Sequence, residues 1–294
     1  HQDRLNYSIV GPGVSEDAKQ NVKIAEAHGF NIGAVSAAPM NGSGLHSHTT
    51  AEVFLIFSGS WRFYWGTDGK EGEIILHKGD VASFPTNMFR GLQNVSDEQA
   101  LMFVVLGEND PGVITWTPNL LKKAKDTGMV LLDDNSLIDL DKTQVPDGKK
   151  IIEPLKDNEL EQFDHYTSEE IEKYVIRKND ENKFIEDDNH FNSNSIVNYL
   201  DDFKIHEKMI SPHIDHKTGF GLTLLKGDNA HIHSYNLEES EVFLCLDGEW
   251  EVSCDDQKII LGSRDAFSPP KNSQRSIKNI GSETGSLFII RNKK

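Results

Sequence analysis

Gly44-Leu45-His46-Ser47-His48-Thr49-Thr50-Ala51-Glu52-Val53-Phe54-Leu55 is the most informative stretch of this 294-residue chain, and its tail recurs as Glu241-Val242-Phe243-Leu244. At the same offset Gly59 matches Gly248 and Trp61 matches Trp250. After a short length difference Ile74-Ile75-Leu76 matches Ile259-Ile260-Leu261. Asp80, Pro85, Asn87, Arg90 and Asn94 then match Asp265, Pro270, Asn272, Arg275 and Asn279. An ordered series of this kind marks a tandem duplication.

Around each copy the texture is that of short strands. Apolar or alternating runs are split by Asn41-Gly42, Asp68-Gly69 and Gly79-Asp80 in the first copy, and by Gly227-Asp228, Asp247-Gly248 and Asp255-Asp256 in the second. Regularly spaced strands with Gly and Asp turns predict an all-β chain of two sandwiches or barrels. The stretch between them reads differently. Acidic residues outnumber basic ones there, and helices are expected over Thr117–Ala124, with Pro118 at the first helical position, and over Thr167–Tyr174, with a Thr167/Glu170 capping box. The expected organisation is a first barrel over residues 1–110, a mostly irregular and helical acidic linker over 111–200, and a second barrel over 201–294. The acidic runs, densest at Asp180-Glu181 and Glu186-Asp187-Asp188, lack EF-hand spacing and read as a solvated face.

Composition narrows the partners. A formal net charge of −17 repels a phosphate backbone, so nucleic-acid binding is not expected. The longest apolar run, Ala100–Leu106, falls far short of the ~20 residues of a membrane helix. Two cysteines, Cys245 and Cys254, without metal-site spacing, suit reduced thiols in the cytoplasm. The chain begins at His1 rather than Met, which leaves room for a targeting segment already removed. Val53, Leu55 and Phe57 make the outward parity of their strand apolar too, which suits either a homodimer face or packing within the chain.

The chemistry lies in the opening stretch. If residues 44–52 are extended, alternate side chains share a face, so His46, His48 and Glu52 point the same way. Two imidazoles and a carboxylate form a ligand set for one divalent transition metal (Fe, Mn, Ni, Co or Zn) and leave coordination positions open to a small molecule.

His46, His48, Glu52 and Gly59 resemble the first motif of the cupin superfamily, G(X)5HXH(X)3-4E(X)6G, and Gly79 through Asn94 resembles the second, G(X)5PXG(X)2H(X)3N. With the duplication, the chain resembles a bicupin. The resemblance implies a jelly-roll barrel in each half and a metal inside the barrel, held by both motifs. Three positions depart from it: Met40 replaces the leading Gly, Asn87 replaces the Gly of the second motif, and Arg90 stands where that motif supplies its histidine. A guanidinium has no lone pair for a metal. Arg90 therefore reads either as an anchor for an anionic substrate or as the partner of a nearby carboxylate, and any fourth protein ligand has to come from a residue such as His77 or Gln93. In the second copy Tyr235 and Leu237 align with His46 and His48. The pair His231/His233 lies four residues upstream of the matching register: a four-residue insertion would restore the match to Glu241, while Glu238 already falls within the motif's His-to-Glu spacing, so a metal set with either glutamate is open.

The expected activity is a dioxygenase-like oxidation of a small organic, possibly anionic, molecule. The alternatives are a non-oxidative metal-dependent lyase or isomerase, or a binding or sensing module without catalysis.

Overall fold

The computed structural model describes residues 3–13, 21–180, 196–205 and 208–293. Glu181 and Glu186-Asp187-Asp188, expected as a solvated acidic face, lie outside them. The chain divides into two compact units, His1–Ala27 with Asn31–Val175, and His28–Phe30 with Ile176–Lys294.

The first unit is a barrel of two sheets. One has the strand order Val175–Ile176, Val81–Phe84, Glu52–Ser58, Ala100–Gly107, Phe30–Ala37, Arg4–Val10, Val22–Ile24; the other runs Ile114–Trp116, Gly42–His48, Arg90–Asn94, Ser60–Trp65, Gly72–His77. Their inner faces meet because the strands alternate: Phe54 and Ile56 from one sheet join Trp61, Phe63, Trp65 and Leu76 from the other in a single core. The Phe54 and Phe63 rings meet edge to face at 4.7 Å. Val53, Leu55 and Phe57, on the opposite parity, are buried as well.

The stretch expected as a linker supplies elements to this unit. Ile114–Trp116 extends the second sheet by pairing with Gly42–His48. The helix Pro118–Asp126 follows Thr117 and turns Leu121 onto Ile114, Trp116 and Leu131, although the Thr117 side chain makes no capping bond. The capping box is realised in the short helix Ser168–Glu172, where Thr167 Oγ1 accepts from the Glu170 amide and Glu170 Oε2 accepts from the Thr167 amide. That helix places Ile171 in the barrel core, and the Trp65 indole donates to the Tyr166 carbonyl at 2.7 Å.

The second unit repeats the plan, with a sheet ordered Ile196–Leu200, Phe220–Gly227, Gly285–Asn292, Glu241–Asp247, Ala266–Phe267 and another ordered His231–Asn236, Gln274–Asn279, Trp250–Cys254, Gln257–Leu261. The duplicated residues do duplicated work. Gly59 and Gly248 both have positive φ, 76° and 92°, and an added Cβ would meet Ala100 Cβ at 2.5 Å or Gly285 Cα at 2.6 Å. Trp61 and Trp250, both fully buried, donate from Nε1 to the carbonyls of Ser58 and Asp247. Asn94 donates to the carbonyls of Ala37 and Glu98, as Asn279 does to those of Gly227 and Glu283. Both cysteines, Cys245 and Cys254, are reduced and buried in this second barrel.

Candidate metal centre

His46 and His48 close the strand Gly42–His48, and Glu52 opens Glu52–Ser58 in the opposite sheet. The segment is therefore not one extended run, as the spacing suggested. It turns at residues 49–51, a corner held by Thr50 Oγ1 donating to the Pro111 carbonyl and the Gly107 amide donating to Ala51. The three side chains converge because both strands present inner faces to the same space. One candidate ligand atom from each lies within 4.8 Å of the others, and no other group of this kind occurs among the described residues.

Hydrogen bonding prepares the donors. Gly44 O accepts from His46 Nδ1 at 2.7 Å, which leaves His46 Nε2 as the lone-pair nitrogen. His48 is buried, and its Nδ1 has no partner. His48 Nε2 stands 3.7 Å from Glu52 Oε1, beyond hydrogen-bond range but close to the ~3.4 Å that separates two ligands on a tetrahedral metal with bonds of ~2.1 Å. Burial, with the charge of Arg90, lowers the pKa of His46 to about 4. Burial alone is the largest cause for His48, lowered to about 3. Burial works to raise Glu52, but the Arg90 guanidinium, helped by the histidines, outweighs it and brings the carboxyl to about 2. Near neutral pH the site thus holds two neutral imidazoles and an ionised carboxylate, the protonation states that metal binding requires.

Arg90 faces the same space from Arg90–Asn94, directly opposite His46 in the ladder. It does not reach toward an open position. Nε and Nη2 both donate to Glu52 Oε2, the former at 3.0 Å, and Nη1 donates to the Met88 carbonyl. Of the two sequence readings, the geometry shows carboxylate pairing. His77 is exposed and bonded to Ser60 Oγ, and Gln93 donates to the Met40 carbonyl, so neither joins the cluster.

The second barrel keeps the register and changes the chemistry. Tyr235 lies opposite Arg275 as His46 lies opposite Arg90. His231 and His233 stand at its outer end with Nε2 atoms 3.2 Å apart, and no insertion brings them to the inner positions. Glu241 instead accepts from Arg275, from Tyr235 and from Arg291, whose place opposite the glutamate is taken by Leu106 in the first barrel. Arg291 was not legible as a partner of Glu241, since it lies outside both motifs; only the strand pairing reveals it.

Residues 34–106 match the Cupin domain family. No curated protein is similar in sequence. Among solved structures, the oxalate decarboxylase of Lactobacillus farciminis in complex with formate superposes with a TM-score of 0.57 at 14% identity, covering 92% of this chain and 79% of that one. A mutant oxalate decarboxylase of Bacillus subtilis gives 0.55 at 15% identity, covering 90% and 69%. A cupin 2 conserved barrel domain protein from Leptotrichia buccalis gives 0.49 at 9% identity, covering 99% and 89%.

Proposed function

We propose that this chain is a tandem-barrel protein of the cupin superfamily, since residues 34–106 match that domain and the second unit repeats its plan, and that its first barrel binds one divalent transition metal (Fe, Mn, Ni, Co or Zn) through His46, His48 and Glu52. The reaction we assign is a dioxygenase-like oxidation of a small, anionic organic molecule. The observation that carries this reading is the convergence of three donors whose candidate ligand atoms lie within 4.8 Å of one another, with the His46 tautomer fixed so that Nε2 keeps its lone pair. A metal here would supply Lewis acidity and open positions for O2 and substrate.

The remaining work falls to the chain. Arg90 grips Glu52 by Oε2, keeps the carboxylate ionised and turns Oε1 toward the imidazoles. Buried apolar neighbours, Phe54 and Met102 among them, keep bulk water from the barrel interior. The reading places the protein in the cytoplasm, with both thiols reduced, and allows a homodimer.

Metal analysis of untagged protein tests the proposal. About one equivalent is expected, falling to background in the H46A/H48A variant; substoichiometric metal that does not fall further in that variant would count against it. Oxygen uptake coupled to turnover supports oxidation, whereas turnover under strict anaerobiosis would replace it with a lyase or isomerase reaction. Arg90 itself favours one other reading. Because the guanidinium already neutralises Glu52, the barrel could hold a small ligand without chemistry, and tight ligand binding with neither metal nor product would establish that.

A further inference from the structure

The ionic cluster of the second barrel is not balanced. Glu241 is fully buried and carries one negative charge, yet two buried guanidiniums, Arg275 and Arg291, bond to it. Tyr235 donates its hydroxyl to Glu241 Oε2 at 2.8 Å, and burial together with that carboxylate pushes its pKa well above the ordinary range, so it adds no charge. The other donors of Arg275 go to the carbonyls of Ser273, Leu237 and Pro270, which bring none either. Among the described residues one positive charge is left over in a water-poor interior, where an uncompensated ion is costly.

The excess leaves one buried atom without a partner. Arg291 is only 9% exposed, and it spends Nε on Glu241 and Nη1 on the Lys204 carbonyl at 2.8 Å, while Nη2 has no partner. Its guanidinium lies 4.1 Å from the centre of the Phe203 ring and 5.3 Å from that of Tyr235. Arg291 lines a cavity of about 690 Å³ within the second unit, whose walls include Phe203, Tyr235, Leu237 and Ile289. That volume lies inside the usual ~300–1,000 Å³ of small-molecule sites, and its lining is mixed, with Asn198, Thr223 and Asn236 beside the apolar side chains. Among the described residues the other charged groups at the cavity are Asp201, paired with Lys293, together with Asp202, Glu239 and Lys204. None of their side chains reaches Arg291 Nη2.

We propose that the second barrel is a metal-free binding site for a small carboxylate with an apolar body, its carboxylate engaging the Arg291 guanidinium at the cavity wall and its body lying among Phe203, Leu237 and Ile289. This site is separate from the first-barrel centre and does not depend on its metal.

Titration calorimetry of the full-length protein with sodium benzoate, against benzamide as the neutral isostere, tests the assignment. Benzoate should bind at one site at least tenfold more tightly than benzamide. Binding should persist in H46A/H48A, which removes coordination of benzoate in the first barrel as a source of signal. R291Q should weaken it at least tenfold. If R291Q does not fold, L237W decides, since it fills the cavity while leaving the Arg291–Glu241 pair in place. Equal affinity for benzamide, no binding of benzoate, loss of binding in H46A/H48A, or undiminished binding in L237W would each overturn the proposal.

Discussion

Arg90 changes the meaning of its site more than any other residue. It occupies the position where the motif supplies a histidine, and it offers a fixed cation to the carboxylate a metal would use. Cation and metal therefore compete for Glu52, one holding Oε2 and the other needing Oε1. Arg90→His removes the competitor and adds an imidazole, so metal affinity measured by competition with a chelator should tighten at least about tenfold. Glu52→Gln does the opposite. It strands a buried guanidinium, and denaturant unfolding should show a loss of about 3–5 kcal/mol. A smaller effect belongs to Met40, which stands at a left-handed φ of 62° with its side chain 66% exposed. Met40→Gly relieves that backbone while losing little packing, and should stabilise the first barrel by about 1 kcal/mol in the same assay.

At the level of elements, the repeat carries the turns as faithfully as the strands. Asn87 and Asn272 both adopt left-handed φ, 59° and 62°, where the motif has glycine; asparagine tolerates that region better than other side chains, so the turn survives the replacement. Gly59 is stricter, because an added Cβ would strike Ala100 and Ser96. Gly59→Ala should cost about 2–4 kcal/mol, read from chemical denaturation. These elements were legible because turn residues and alternation act over a few residues. The two β regions, the helix after Thr117 and the Thr167 capping box follow from local pattern alone. The convergence of Glu52 with the histidines was legible in outcome but not in cause: the residue spacing suggested a single face, whereas the structure achieves it by crossing from one sheet to the other. Ile114–Trp116, which covers the histidine strand, carries no local signal of its partner, since pairing between distant strands is decided by the assembled sheet.

For the whole molecule, the buried ionisable groups set the response to acid. His46 and His48 fall from 6.5 to about 4 and about 3 on folding, so the unfolded chain takes up their protons first. Their contribution is intact above pH 6.5 and is lost progressively as the pH drops toward 4. Glu52, lowered from 4.5 to about 2, adds a loss in the same direction at still lower pH. The melting temperature of metal-free protein should therefore decline between pH 7 and pH 5, and the decline should be shallower in H46A/H48A; an equal slope in the two proteins would refute this account.

The placement of sulfur has a practical corollary. Cys245 and Cys254 both lie inside the second barrel, one fully buried and the other 7% exposed, and the first barrel has none. A thiol-reactive dye is thus a clock for the opening of one half only, while the other half stays silent. Labelling followed over time, with and without an added carboxylate, would report how tightly that half is held shut, needing neither an engineered reporter nor an assay for turnover.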